Sequence, residues 1–198
     1  LDRLPAGVNL PGGRVVCLRE DAEGSIWVGA NGGLYRLRET LFSSFTERDG
    51  LSGDYVRTVL EDRQRQLWVG SASGLDRRDT QGVFHPVGLR NSGDKPPSVL
   101  SLAQGRNDDL WAGTFGDGIF QLDAQGRTLR QFGEAEGVPG GNIRAISVDR
   151  NGVVWAGTQK GVARIEADRV TVPAVPGMPG GLITALAHDG EGDLWIGT

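Results

Sequence analysis

An all-β fold, a β-propeller of four-stranded antiparallel blades, is what this sequence predicts, and three observations carry the prediction. Five tryptophans, Trp27, Trp68, Trp111, Trp155 and Trp195, recur 41, 43, 44 and 40 residues apart, each with a glycine two positions later. That period is the length of one propeller blade. The segments around the tryptophans are short aliphatic and β-branched runs separated by turn signals, with 32 glycines and nine prolines in the 198 residues. No convincing helical stretch is found. A four-stranded unit cannot bury both of its faces alone, so the copies stack into one array.

Aligned on their tryptophans, the copies justify each element in turn. The first strand holds an aliphatic residue at two fixed positions: Val15, Val56, Val99, Ile143 and Ile183, then Leu18, Val59, Leu102, Ile146 and Leu186. Between them sits a position that accepts only small residues, Cys17, Thr58, Ser101, Ala145 and Ala185, as crowding near a propeller axis requires. A turn follows, marked by Asp21, Asp62, Asp149 and Asp189 and often by a glycine three residues before the tryptophan, as at Gly24, Gly152 and Gly192. An aspartate there bonds backbone amides two residues on and closes the hairpin. The tryptophan strand comes next, IWVG, LWVG, LWAG, VWAG or LWIG, contributing the largest buried surface of the blade. A second turn, with Gly33, Gly74, Gly118 or Gly161 at positive φ, opens the third strand. The fourth strands, near FSSF, VFHPV, TLRQF and RVTVP, are more polar, and the connections between blades are rich in Gly, Pro and charge.

This gives about five repeats of 40–44 residues: 14–53, 54–97, 98–141, 142–181 and an incomplete 182–198, with 1–13 as the end of a preceding blade. A segment of a larger propeller is expected rather than a closed five-bladed wheel, because the two termini together lack one strand of a blade. The start at Leu1 fits a mature or excised segment.

Composition removes several function classes. The net charge is −4 and the 21 basic residues are scattered, so there is no footprint for a phosphate backbone and nucleic acid is not an expected partner. No run of 18 apolar residues occurs, so this segment is not expected to enter a membrane. Cys17 has no second cysteine to pair with and reads as a small packing residue.

The inner strand ending in Glu-Asp and the pattern D-x-x-G-x-L-W-V-G-T followed by G-L resemble the two-component regulator propeller repeat. The resemblance rests on DAEGSIWVGA from Asp21 with GGLYRL, DRQRQLWVGS from Asp62 with SGLDRR, DRNGVVWAGT from Asp149 with KGVARI, and DGEGDLWIGT from Asp189. It implies the periplasmic sensor portion of a hybrid histidine kinase or diguanylate cyclase, with further propeller or output domains elsewhere in the same protein. The third copy departs from the pattern: Gly105 replaces the turn aspartate, and an extra residue precedes Gly118.

Chemistry is thin. His85 and His188 lie at non-equivalent positions without spaced metal-ligating partners. The pair Asp108 and Asp109 reads as a solvated hairpin turn, not as a general acid and base. No cofactor, metal site or catalytic residue is expected. Ligand contact is expected instead where variable loops converge at one rim. Two loop sets face that side. Arg14, Tyr55, Arg57, Asn142 and Arg144 come from the entrances to the inner strands, and Asn31, Ser73, Asp117 and Lys160 from the turns between second and third strands. Arg57 and Arg144 stand out because other copies carry Val16, Leu100 and Thr184 at that position. Such a rim suits a polar or anionic ligand, a glycan with carboxylates or sulfates among them.

The expected function is therefore a non-catalytic extracytoplasmic sensor segment that binds a small molecule or glycan, or relays its binding, with a homodimer possible. A protein-interaction scaffold and a propeller-fold polysaccharide lyase or glycosidase are the competing readings.

Overall fold

The computed structural model describes residues 14–38, 41–89, 95–174 and 181–198. The expected end of a preceding blade, 1–13, lies outside the described residues, as do 90–94 and 175–180 within two of the connections.

Four antiparallel four-stranded sheets and one two-stranded hairpin follow in chain order. The first blade is β1 (Val15–Glu20), β2 (Ile26–Ala30), β3 (Gly33–Arg38) and β4 (Leu41–Phe45). The second is β5 (Val56–Glu61), β6 (Leu67–Ser71), β7 (Gly74–Arg78) and β8 (Phe84–Val87). The third is β9 (Val99–Gln104), β10 (Leu110–Thr114), β11 (Ile119–Leu122) and β12 (Thr128–Phe132). The fourth is β13 (Ile143–Val148), β14 (Val154–Thr158), β15 (Gly161–Glu166) and β16 (Arg169–Thr171). The fifth contributes β17 (Ala185–His188) and β18 (Leu194–Gly197). Within each blade the strands pair in sequence order, and the first strands β1, β5, β9, β13 and β17 neighbour one another. Single 3-10 turns at Glu47–Asp49 and Glu134–Glu136, which the sequence did not announce, enter two of the connections and end on left-handed Gly50 and Gly137.

The core lies between blades. Trp27 packs with Leu34, Val56, Leu67, Val69 and Phe84 of its own and the next blade. Trp68 does the same with Val99, Leu110 and Phe120, and Trp111 with Ile143, Val154 and Ile165. The glycine two residues after each tryptophan is what permits this approach. A Cβ at Gly29, Gly70, Gly113 or Gly157 would lie 2.8, 2.7, 2.7 and 2.5 Å from Val56, Val99, Ile143 and Ile183, each on the neighbouring blade. The same Cβ at Gly70 would meet Thr58 Cγ2 at 2.5 Å, the small-residue position of its own first strand. No real side chain tolerates such distances.

The hairpin turns form as expected. Asp62 Oδ1 accepts from the Gln64 and Gln66 amides at 2.9 and 2.8 Å, while Oδ2 accepts the Trp68 indole N–H at 2.8 Å. Asp21 with Trp27 and Asp189 with Trp195 repeat that indole bond at 2.8 Å. Asp149 makes the amide bonds, but the Trp155 indole N–H is buried without a partner. Trp27, Trp68 and Trp111 are buried, but Trp155 is half-buried and Trp195, in the last copy, is 66% exposed. No described blade lies beyond it to cover the ring. At the other end of the array Val15, Val16 and Leu18 of β1 are likewise exposed.

Candidate functional site

Antiparallel pairing brings the two expected loop sets to one rim, blade by blade. The Asn31 amide donates to the Arg14 carbonyl at 3.3 Å, and the Ala72 amide, next to Ser73, donates to the Tyr55 carbonyl at 2.9 Å. The Asn142 amide donates to Gln159 Oε1 at 3.1 Å, next to Lys160. Arg14, Asn31, Ser73, Arg144 and Lys160 are exposed, while Tyr55, Arg57, Asp117 and Asn142 are half-buried.

Arg57 and Arg144 share a backbone feature that the sequence does not display. In β1, β5, β9 and β13 the pairing skips one residue, so Val16, Arg57, Leu100 and Arg144 are each the extra residue of a β-bulge. A bulge leaves its extra residue unpaired and re-aims the side chain. This explains why the position tolerates valine, leucine and arginine alike. The Arg57 guanidinium lies 4.6 Å from the centre of the Tyr55 ring, and its Nε is buried without a hydrogen-bond partner. Stacked in this way, the guanidinium keeps its charge and is held to few rotamers.

The remaining rim residues are partly engaged. Lys160 Nζ sits 3.7 Å from Glu134 Oε1, and the Asp117 carbonyl accepts from Gln131 Nε2 at 2.8 Å. Next to Asp117, Phe115 is 54% exposed on the third-blade turn. Below the rim, Asp76 on β7 is fully buried and takes both the Ser52 amide at 2.9 Å and its hydroxyl at 2.6 Å. Burial pushes its carboxyl above the usual carboxylate range, against the pull of those two donors. Sequence reading passed over Asp76. The available signal was its place two residues after Gly74, where the other copies carry Tyr35, Phe120 and Ala163.

The histidines serve their own surroundings. His85 Nε2 lies 2.8 Å from Asp79 Oδ2 within the β7–β8 hairpin, and His188 Nδ1 lies 2.8 Å from Ser147 Oγ. Cys17 is half-buried beside Val56. Asp109 differs from expectation: instead of lying on a solvated turn it occupies the space left by the absent side chain of Gly105 and accepts from Gln121 Nε2 at 2.8 Å. No group of three or more potential metal-ligating side chains occurs among the described residues. No helix among them is long and apolar enough to cross a membrane.

Two clefts open on the opposite rim, among the first hairpin turns. One, of about 590 Å³, is bordered by Arg19, Asp21, Glu61, Arg63 and Gln104; the other, of about 510 Å³, lies between the third and fourth blades.

Comparison with known proteins places this geometry. The two component regulator propeller family matches residues 9–32, 50–73, 137–160 and 177–198, leaving out the divergent third copy. No curated protein matches the chain. Among solved structures, the extracellular domain assigned to the one component system BT4673 of B. thetaiotaomicron superposes with a TM-score of 0.81 at 25% identity over 93% of this chain. The extracellular domain assigned to the hybrid two component system BT3049 of the same organism gives 0.80 at 26% identity over 96%. The chain spans only 26% and 27% of those two proteins. A catalytically inactive virginiamycin B lyase from Staphylococcus aureus, at 17% identity, TM-score 0.79, and 96% and 64% of the two chains, shares the fold alone. Repeat period, blade geometry and the four matched segments agree that the chain is built from two component regulator propeller repeats.

Proposed function

We propose that this segment is a non-catalytic sensing module of a signal-transduction protein, placed on the periplasmic or extracellular side of the membrane. It binds a small-molecule or glycan cue, or relays its binding, toward a kinase or cyclase output carried elsewhere in the protein. One observation carries the reading: the blade scaffold repeats copy by copy, while charge varies at the bulge position occupied by Arg57 and Arg144. The likeness to extracellular domains assigned to one and two component systems supports the location and the sensing role. A cue acts only through its different affinities for two packing arrangements, of propeller against neighbouring domains or of one protomer against a dimer mate.

The test has two readouts. A glycan and metabolite panel scored by thermal shift should yield a stabilising ligand with no product formed on long incubation, and turnover of any panel member would sink the reading. In cells, Arg57→Ala and Arg144→Ala in the whole protein should blunt the transcriptional or cyclase response to that ligand at unchanged protein level.

A further inference from the structure

The cleft between the third and fourth blades has an internal reference in the same molecule. At the interface of the first and second blades the corresponding slot holds only about 70 Å³, against about 510 Å³ here. Strand register makes the correspondence position by position. Trp27 pairs with Arg36 as Trp111 pairs with Gln121, and Leu67 pairs with Arg78 as Val154 pairs with Ile165. In the narrow slot the Arg78 guanidinium lies 5.5, 5.4 and 5.8 Å from the rings of Trp27, Phe45 and Phe84, and Arg36 donates to Glu23 and Ser25. In the wide cleft Ile165 replaces that arginine, Gln121 replaces Arg36, Gly152 replaces Arg65 and Gly105 replaces Asp21. Three guanidinium groups that border the narrow slot are gone.

The same changes leave an indole donor without the carboxylate acceptor found in other copies. Trp27, Trp68 and Trp195 each give their indole proton to an aspartate six residues earlier at 2.8 Å. Trp111 has Gly105 there. The displaced Asp109 carboxylate is held by Gln121 and does not receive the indole proton. Trp111 is only 6% exposed, lines the cleft, and donates to no described residue.

The chemistry of the walls selects a ligand class. Arg106 faces the cleft together with Asp109, and Asp168 is paired with Arg130 at 2.9 Å, so the site carries little net charge. Asn107 and Asn151, which line the same cleft as Trp111 and Asp109, each offer both a donor and an acceptor. Mixed donors and acceptors around an aromatic, without net charge, suit hydroxyl groups, which donate and accept at once. The volume lies in the range of small-ligand pockets. We infer that this cleft binds a neutral saccharide of one or two sugar units, with Trp111 Nε1 donating to a sugar oxygen and Asp109 accepting from a hydroxyl. The inference rests on the ligand-binding reading above and assigns it a site away from the rim of Arg57 and Arg144.

The experiment is an NMR titration of the chain with lactose, cellobiose, maltose and mannobiose, following the indole N–H signals. Trp111→Phe identifies its own signal by removing it. At least one sugar should shift the Trp111 signal saturably, with calorimetric affinity falling about tenfold in Trp111→Phe, as loss of a buried hydrogen bond implies. Ile165→Arg, which restores the residue type found at Arg78, should abolish binding. If that variant loses its dispersed spectrum, Asn151→Ala supplies the second readout and should weaken binding with the fold intact. Failure of all four sugars to move Trp111, undiminished binding in Ile165→Arg, or preference for a sulfated disaccharide would overturn the assignment. Sugar binding at Trp111 without a cellular response would leave the cleft standing and remove the sensing role. A response lost in Arg57→Ala with no shift at Trp111 would do the reverse.

Discussion

Trp68 donates its indole proton to the Asp62 carboxylate six residues earlier, at 2.8 Å, in a bond that is wholly buried. The same carboxylate accepts two backbone amides of the hairpin, so one side chain closes the turn and anchors the largest ring of the blade. Asp62→Ala strands three donors at once, one of them sealed from water. Removing a buried partner costs about 1–3 kcal/mol for each donor left unpaired. Because the two turn amides can reach water, a total loss of about 2–4 kcal/mol is expected in urea denaturation. A loss below about 0.5 kcal/mol would show that the turn closes without the carboxylate.

Gly70→Ala tests the packing of neighbouring blades. The new Cβ would stand 2.7 Å from Val99 and 2.5 Å from Thr58, both on β-strands that cannot retreat cheaply. Overpacking of that kind costs about 1–3 kcal/mol. Gly88→Ala is the control, since nothing lies within 4 Å of a Cβ there. Equal melting temperatures for the two variants would refute the account.

Acid stability should be set by the hairpin aspartates. Hydrogen bonds from the Trp195 indole and the Asp193 amide hold Asp189 below the ordinary 3.8, and the His85 ring and Val83 amide do the same for Asp79. Burial pushes Asp21 upward, but donation from Trp27, Ser25 and Glu23 and the nearby Arg36 charge outweigh it and leave it lowered. Groups with depressed folded values contribute stability above their unfolded values and lose it as pH falls through the folded ones. Stability should therefore decline as pH is taken below the ordinary carboxylate value.

Asp76 has the opposite sign. Burial raises it above 3.8, so the folded state prefers the proton, and its contribution is fullest below the unfolded value and declines as pH rises through the folded value. The stability difference between the native chain and Asp76→Asn should thus shrink or turn negative between about pH 4 and neutrality. A difference that grows over that interval would contradict the burial argument.

Cys17 should be a slow thiol. Burial pushes it up to about 11, against a weaker opposing hydrogen bond with the Gly29 backbone. At pH 8 roughly one thiol in a thousand is then thiolate, the reactive form. Labelling by a disulfide reagent should be far slower in the folded chain than in urea, and equal rates would place Cys17 in open solvent.

How legible each feature was follows from the range of the interaction behind it. Asp62 and Trp68 are six residues apart, so the hairpin and its bond could be read from spacing. The small position at Cys17, Thr58, Ser101 and Ala145 was visible because every copy meets the same crowding against Gly29, Gly70, Gly113 and Gly157. The burial of Asp76 depends on Ser52, 24 residues away across a blade connection, and single-repeat logic does not reach it. Asp109 was misread as a surface carboxylate because its environment comes from the missing side chain of Gly105 and from Gln121 on another strand.

The sequence by itself determined the blade: period, strand order, hairpin chemistry and the repeat type from which it is built, all consequences of contacts repeated locally in each copy. Only the tertiary structure decided where those copies leave space. The difference between the slot of about 70 Å³ beside Trp27 and the cleft of about 510 Å³ beside Trp111 arises from four replacements scattered over two blades. Each is unremarkable in its own strand. Their effect exists only where neighbouring blades bring them together, because side-chain volume and unpaired donors add up in space and not along the chain.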